Sequence, residues 1–440
     1  MKVRSRTTST IGLWAVSMFV LAGCVTAGTS DGETENDERE VSTEITDEEV
    51  TLRLAYTDDP PTEALAEGFT DEYPNVTIET EQTDFGNYIT SITRSMSSDS
   101  APDIAQYNPG AMRSLVPAGH VLELGDYAEL YGWEEAFPPA SLEQLMSDDE
   151  AQQFGTGGLY AAPGALSVLG VYYNQDMLAD AGVEEVPATL DEFTEAMAAV
   201  ADNGAEPLSL GALEVGGFHL WNSVLNSVGD SQEYLDWVYG APETTIQTDA
   251  AAQATEVFAG WVEAGYISEA ANATSDADAL AHFTAGEAAF HVTGNWAAAA
   301  VDEELDNAGF FVLPGIESGS PAVASGSSVA YSISSASEHP DVAAAFLDYL
   351  SSAEAAAIQI DTGFMPVDTE ADVATDGLLG DIADSFAPVA EQSNIVPFPD
   401  FAAPGMIDSL TGGLQGIISG QTTTDDYLAS LQEVWVSHHG

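Results

Sequence analysis

The chain has few basic side chains and almost no cysteine. Its 440 residues include 7 Lys and Arg against 73 Asp and Glu, and one cysteine. Three of the basic residues and none of the acidic ones lie in residues 1–23, so the remainder has four arginines, no lysine and a formal charge of −69. A lone cysteine excludes an internal disulfide. A field this negative repels nucleic acid and anionic membranes, so we expect neither as a binding partner.

The first 24 residues have the layout of an export signal. Lys2, Arg4 and Arg6 precede an apolar stretch over residues 11–22, which is shorter than the roughly 20 residues that span a membrane. Residues 21–24 read Leu-Ala-Gly-Cys, which resembles the lipobox of bacterial lipoproteins. The resemblance implies cleavage before Cys24 and a lipid anchor on its thiol and new amino group. An ordinary signal peptide with an incidental cysteine is the alternative.

We therefore predict a signal peptide over residues 1–23, followed by a disordered acidic spacer over residues 24–49 that has few large apolar groups. The acidic, lysine-poor remainder resembles halophilic proteins, because repulsion among carboxylates is screened when the Debye length falls to about 3 Å at 1 M salt. An acidic exoprotein from an alkaline habitat is the alternative reading. The apolar content of 45% is normal and permits an ordinary core.

Apolar periodicity from residue 50 onward predicts an α/β fold. Alternation predicts strands near residues 50–56 and 76–78, and helical spacing predicts helices near residues 65–73 and 89–96. Thr189 and Glu192 form a capping box before a further helix. Strands that alternate with helices favour βαβ units and a largely parallel sheet. About 390 residues exceed what one core usually holds, so we expect two lobes.

Seven short phrases, taken in chain order, add a family resemblance. They are Ala-Pro-Asp-Ile (101–104), Ala-Gly-His-Val-Leu-Glu-Leu (118–124), Gly-Leu-Tyr-Ala-Ala-Pro (158–163), Tyr-Asn-Gln-Asp-Met-Leu (173–178), Pro-Ala-Thr-Leu-Asp-Glu-Phe (187–193), Phe-Thr-Ala-Gly-Glu-Ala-Ala-Phe (283–290) leading to Gly-Asn-Trp (294–296), and Gly-Phe-Met-Pro (363–366). Together they resemble the extracellular solute-binding proteins of bacterial sugar importers, the family of maltose-binding protein. Gln175 and Glu287 stand where that family usually has lysine, in agreement with the acidic bias.

The resemblance implies a two-lobe periplasmic-binding-protein-like fold. Each lobe would be a mostly parallel sheet flanked by helices, and hinge crossovers would join the lobes. The expected segments are residues 50–165 with 327–375 for lobe 1, residues 166–326 with 376–440 for lobe 2, and crossovers near 163–167, 325–331 and 370–380. The implied function is capture of a sugar or oligosaccharide between lobes that close around it, and delivery to the permease subunits of an ABC importer. The implied protein is a monomer without a cofactor or metal, on the outer face of the cell membrane, which it contacts only through its lipid.

The candidate ligand contacts follow from the chemistry of a sugar, which presents an apolar face and a rim of hydroxyl groups. Aromatic rings cover the face, and neutral polar groups bind the rim. Trp296 matches the family's pocket tryptophan. The other candidates are Tyr56 and Asp58 after the first strand, Tyr107 and Asn108 after the third, Ser167, Gly326 and Ser327 at the crossovers, His219 and Trp221 from the second lobe, and Phe398, Asp400 and Phe401 late in the chain. For Trp221, a place in the core is equally open.

Three other functions stay open from the sequence. Adjacent Tyr172 and Tyr173 suit ferric iron, although the histidines show no ligand spacing and His438 and His439 lie at a terminus expected to fray. A polyamine would suit the acidic field, but it would need two or more convergent carboxylates. An extracellular glycoside hydrolase is the alternative from another class. Gly-x-Ser-x-Gly, HExxH and phosphate-loop motifs are absent from the sequence, so we expect a binding protein and not an enzyme.

Overall fold

The computed structural model describes residues 41–57, 61–320, 322–367, 371, 376–392 and 394–440. Cys24, the predicted signal peptide and Asp58 lie outside these residues. The strands are β1 (Val50–Tyr56), β2 (Val76–Gln82), β3 (Ile104–Gln106), β4 (Met146–Ser147), β5 (Gly158–Leu159), β6 (Ala162–Asn174), β7 (Glu206–Ser209), β8 (Ala288–Gly294), β9 (Ala308–Phe311), β10 (Ala324–Ile333) and β11 (Ile395–Val396).

Helices fill most of the segments between the strands. They are α1 (Pro61–Glu72), α2 (Phe85–Met96), α3 (Pro109–Leu115), α4 (Gly125–Tyr131), α5 (Trp133–Ala136), α6 (Pro139–Glu143), α7 (Gln175–Asp180), α8 (Leu190–Asp202), α9 (Gly216–Val228), α10 (Ser231–Val238), α11 (Asp249–Glu263), α12 (Asp276–Thr284), α13 (Ala298–Glu304), α14 (Pro340–Tyr349), α15 (Ala353–Asp361), α16 (Gly377–Glu391), α17 (Met406–Ile418) and α18 (Thr424–His439). Short 3-10 turns cover Glu269–Ala273, Asn295–Ala297 and Pro399–Ala402. Within the described ranges, we find no helix with both the length and the apolar character to cross a bilayer.

The main sheet has the strand order β2-β1-β3-β10-β6-β8-β7, with β11 paired to β10 and β9 paired to β6. Strand β1 pairs in parallel with β2 and β3, and β7 pairs in parallel with β8. The long strands β6 and β10 run antiparallel to each other and to β8 and β3 respectively. The predicted α/β class with helix-flanked parallel strands is confirmed. The antiparallel pairs of the main sheet all involve β6 or β10.

The crossover strands β6 and β10 lie side by side. Gly326 pairs with Val168, Tyr331 pairs with Ala162, and a register shift interrupts the ladder between Ser328 and Ala330. The two crossovers predicted from the sequence therefore form one hydrogen-bonded ribbon. The third predicted crossover, over residues 370–380, lies partly outside the described residues. The exact lobe boundaries stay a prediction.

The local structure follows from the sequence periods. In β1, Val50, Leu52 and Leu54 are buried while the intervening residues are exposed, as expected for a strand with one covered face. Helix α1 ends at Glu72, just before Pro74, because proline cannot continue the hydrogen-bond ladder. Strand β1 thus lies between β2 and β3, and α1 packs against it in the first core.

Three apolar cores hold the described part together. The first core, which includes Leu54 and Phe69, lies between β1, α1 and α14 and continues along β6. The second core, which includes Phe193 and Phe258, packs α8, α9, α11, α17 and α18 around β7 and β8. The third core, which includes Leu115, joins α2 and α3. Strand β6 contributes Tyr172 to the first core and Val171 to the second. We call the part around the first and third cores one half of the molecule and the part around the second core the other half.

The structure corrects the end of the predicted spacer. Val41 and Ile45 pack against the first core. The side-chain amide of Asn75 donates to the carbonyl oxygens of Thr46 and Glu48 at 2.8 and 2.9 Å. Residues 41–49 thus belong to the folded body, because two apolar side chains and two hydrogen bonds hold them there.

Candidate functional site

Four aromatic side chains meet where the first and second cores adjoin. The ring centroid of His219 lies 5.8 Å from Trp296 and 5.5 Å from Phe398, and Phe398 lies 6.4 Å from both Trp296 and Phe401. We call these four residues the aromatic cluster. Trp296 packs against the first core and Phe398 against the second, and both remain half-buried. The sequence predicted all four as ligand candidates, and the structure brings them together.

Gly294 explains how Trp296 is oriented. The residue ends β8, and a Cβ atom there would lie only 2.0 Å from the indole ring of Trp296. The indole therefore folds back over the backbone of Gly294, and only glycine leaves room for it. The first and third positions of the Gly-Asn-Trp phrase form one packing unit.

Asn295 fixes the same turn from the other side. Its side chain is fully buried, and its Oδ1 atom accepts a hydrogen bond from the backbone N–H of Val168 at 2.9 Å. Its Nδ2 atom donates to the carbonyl oxygens of Leu166 at 3.2 Å and Gly363 at 3.0 Å. One amide thus ties the end of β8 to crossover strand β6 and to the Gly-Phe-Met-Pro phrase. Our sequence reasoning missed this residue, although its place inside the phrase was the available signal.

Helix α9 carries His219 toward the cluster. Burial, with a smaller contribution from His291, lowers the pKa of His219 to about 3, so the ring is neutral near pH 7. The Asp276 carboxylate accepts from the backbone N–H groups of Val215 and Gly216 at the start of α9, at 3.2 and 3.0 Å. Burial raises the pKa of Asp276 to about 6. A half-buried carboxylate therefore anchors the helix that presents His219.

The late segment around Phe398 is held by backbone contacts. The hydroxyl of Tyr234 donates to the carbonyl oxygen of Pro397 at 2.8 Å. Asp400 is half-buried, and burial raises its pKa to about 6. Phe401 is buried in the second core, so its ring supports Phe398 and offers little free surface.

Tyr107 and Asn108 lie at the junction of the halves. Tyr107 packs against all three cores, and its hydroxyl lies 3.5 Å from the carbonyl oxygen of Gln144. The Oδ1 atom of Asn108 accepts from the N–H of Ala111 at 2.9 Å and caps α3. Both side chains are half-buried.

Several other candidates make contacts within the protein. Trp221 is fully buried and donates its indole N–H to Thr255 Oγ1 at 2.9 Å, which favours the core position that the sequence left open. Tyr56 is buried in the first core. Ser167 is buried, and its hydroxyl donates to the carbonyl oxygen of Ser327 at 2.8 Å. At Gly326, a Cβ atom would lie only 2.3 Å from the carbonyl oxygen of Ser167, so a larger residue would not fit there. Ser167, Gly326 and Ser327 thus hold β6 and β10 together.

The tyrosine pair does not form a chelating site. Successive side chains of a strand point to opposite faces, and Tyr172 and Tyr173 are neighbours in β6. The Tyr172 hydroxyl is buried and donates to the carbonyl oxygen of Gly294 at 3.1 Å, while Tyr173 packs beside Phe311. In the part of the chain that the structure describes, no group of three or more His, Cys, Asp and Glu residues could hold a metal ion.

Comparison with known proteins identifies the family. Residues 56–357 match the family described as bacterial extracellular solute-binding protein. The chain belongs to this family. This solute-binding protein is 26% identical over 217 residues to the multiple sugar-binding protein of Streptococcus mutans, a match that covers 48% of this chain and 51% of that protein. The match thus spans about half the length of that relative.

Solved structures show the same fold. A chitin oligosaccharide binding protein aligns with a TM-score of 0.73 and 23% identity over 88% of this chain and 98% of its own. RafE from Streptococcus pneumoniae, solved in complex with raffinose, aligns with a TM-score of 0.69 and 18% identity over 89% of this chain and 100% of its own. The family and the two-lobe fold predicted from the seven phrases are confirmed.

Proposed function

We propose that this solute-binding protein captures a neutral sugar or oligosaccharide and delivers it to the permease subunits of an ABC importer. The observation that carries the proposal is the aromatic cluster at the junction of the two halves. Trp296 and Phe398 keep part of their ring surface accessible and approach from different cores. Rings in that arrangement suit the apolar face of a sugar, since each covers hydrocarbon without requiring charge.

The electrostatics of the site favour a neutral ligand over a polyamine. His219 is uncharged near pH 7, because burial lowers its pKa to about 3. Asp400 is the carboxyl group that the late segment contributes, and burial raises its pKa to about 6. A carboxyl group must be ionised to hold a cation. The burial of Asp400 disfavours its ionised form, so this group is poorly suited to a polyamine.

The relatives agree with this class of ligand. The names of the Streptococcus mutans protein and of the chitin oligosaccharide binding protein refer to sugars, and RafE was solved with raffinose. We further propose that a lipid on Cys24 tethers the protein to the outer face of the cell membrane, and that it acts as a monomeric binding protein without catalysis.

A thermal-shift screen of the purified protein against neutral sugars and spermidine tests the ligand class. A ligand present at 100 times its Kd adds about 2.7 kcal/mol to the folded state, which gives a clear rise in Tm. We expect oligosaccharides to raise Tm and to be recovered unchanged after incubation. Stabilisation by spermidine alone would support the cationic alternative, and cleavage of the oligosaccharide would support the hydrolase.

Replacement of Trp296 tests the site itself. Trp296→Ala should weaken sugar binding by about 1–3 kcal/mol, or about 5- to 150-fold in Kd, through loss of apolar cover. Trp296→Phe keeps a ring and should lose less. Leu130→Ala removes an exposed apolar side chain from α4 and is the matched control, with no expected change in Kd. Wild-type affinity in a folded Trp296→Ala variant would remove Trp296 from the ligand.

A further inference from the structure

Arg113 is a buried cation that forms no salt bridge with the described Asp and Glu residues, although the charge of Asp148 acts on it from a greater distance. It is one of four arginines after residue 23, and its exposed fraction is 4%. Across the described ranges, no Asp or Glu lies within salt-bridge distance of its guanidinium, although the chain has 73 acidic residues. Burial of a charge is costly unless hydrogen bonds replace its water, so the surroundings of this group need an explanation.

Backbone carbonyl groups take the place of a counter-ion. The Nη1 atom donates to the carbonyl oxygens of Ala151 at 3.0 Å and Gln152 at 3.3 Å. The Nη2 atom donates to those of Phe401 at 2.7 Å and Ala402 at 3.0 Å. The planar fork of a guanidinium can reach four acceptors at once, which an ammonium group cannot do in the same geometry.

The C-terminal helix completes this arrangement. Arg113 Nη1 lies 3.2 Å from His438 Nε2, and His439 Nε2 lies 2.8 Å from the carbonyl oxygen of Ala402. Burial and Arg113 lower the pKa of His438 to about 4, so its ring is neutral near pH 7 and accepts from the guanidinium. The predicted fraying of the terminal histidines is therefore wrong, because both contact the junction.

The bonds of Arg113 cross from one half of the molecule to the other. Helix α3 carries Arg113 and belongs to the third core, and the ring of Phe154 in that core lies 4.4 Å from the guanidinium carbon. Phe401 and Ala402 belong to the second core. The same short segment carries Phe398 of the aromatic cluster, three residues before Phe401.

We propose that Arg113 is a positioning residue for ligand binding: its four carbonyl contacts fix residues 398–402 against the opposite half, and with them the ring of Phe398. The proposal rests on the proposed sugar-binding function, but it assigns a role to a residue that touches no ligand. A cation suits this place for a second reason. Both halves are acidic, so their approach is opposed by repulsion that a positive charge at the junction reduces.

Three variants separate position from charge. Arg113→Met removes the charge and all the carbonyl contacts, Arg113→Lys keeps the charge with fewer donors, and Arg94→Met removes the same charge from an exposed site on α2. Sugar affinity is measured by calorimetry at about 0.1 M and about 2 M NaCl, where screening differs severalfold. Hydrogen exchange of the amides in residues 398–402 reports the segment without any ligand.

We expect Arg113→Met to weaken sugar binding about tenfold or more at low salt, with partial recovery at high salt. Arg113→Lys should fall between it and the wild type, and Arg94→Met should match the wild type. Amides in residues 398–402 should exchange faster in Arg113→Met and not in Arg94→Met. A role limited to stability would lower Tm but leave the affinity of the folded variant and its salt dependence unchanged, and that result would overturn the proposal.

The readouts also distinguish the two proposals. If the wild type binds no sugar, the proposed function fails, while the exchange rates of residues 398–402 still decide whether Arg113 fixes that segment. Unchanged exchange in both Arg113 variants would overturn the role of Arg113 whatever the ligand. If Arg113→Met does not fold, Arg113→Lys gives the same comparison, and wild-type affinity and exchange in that variant would count against the specific need for a guanidinium.

Discussion

Replacing Asn295 by alanine should destabilise the protein strongly, because one side chain there makes three buried hydrogen bonds. They join Asn295 to the N–H of Val168 and to the carbonyl oxygens of Leu166 and Gly363 at 2.9, 3.2 and 3.0 Å. Each buried hydrogen bond contributes about 0.5–1.5 kcal/mol. Alanine also removes the side-chain partner of the Val168 N–H and of the Gly363 carbonyl, while the Leu166 carbonyl still accepts from the N–H of Met365 at 3.1 Å. We expect Asn295→Ala to lower the free energy of unfolding by about 3 kcal/mol or more.

Urea unfolding followed by circular dichroism measures the loss, with Asn307→Ala as the control. Asn307 Nδ2 makes one partly buried hydrogen bond to Asn174 Oδ1 at 3.1 Å, so its removal should cost no more than about 1 kcal/mol. Sugar affinity of folded Asn295→Ala should also fall, since the neighbouring Trp296 loses its fixed turn. Equal effects of the two substitutions on unfolding would refute the assignment of Asn295 as the main tie between β8 and β6.

Three further predictions concern the anchor, pH and salt. Cys24→Ser should release the protein into the medium, as detected by immunoblotting of cell and medium fractions, and a variant that stays on the membrane would contradict lipidation. Because burial raises the pKa of Asp276 to about 6 from 3.8, the folded state retains this proton more tightly than the unfolded chain, and wild-type stability should fall as pH rises from 4 to 7. Asp276→Asn should lack this part of the pH dependence of Tm, and an unchanged profile would contradict the assignment. The wild-type Tm should rise steadily from millimolar to molar NaCl because its −69 charge is screened, whereas a flat Tm would remove the halophilic interpretation and a collapse of affinity in salt would indicate a cationic ligand.

The spacing of apolar residues predicted the local helices and strands well, because an element buried on one face repeats its apolar residues at the period of that element. Strand β1 and helix α1 lie where that period places them. Trp221 shows the limit of the method. Helix α9 is buried on nearly all sides, so its apolar residues have no single face and periodicity cannot say which of them meets the ligand. His219 and Trp221 are two residues apart, yet one joins the aromatic cluster and the other bonds Thr255 in the core.

The sequence did not predict the roles of side chains whose hydrogen-bond partners are backbone groups. Arg113 and Asn295 act on carbonyl and N–H groups, which every residue has, so no motif marks their partners. Their partners also lie far along the chain, and only the folded sheet brings them close. The seven phrases point to a candidate site but not to the side chains that hold it together.

The place of β10 in the sheet bears on the order in which the chain folds. β10 lies between β3 and β6, and Tyr331 pairs with both Gln106 and Ala162. The first half therefore cannot complete its sheet until the ribosome has made residues far beyond it, and pairings between such distant residues form slowly. Completion of the sheet thus depends on one central strand that lies far along the chain from its neighbour β3.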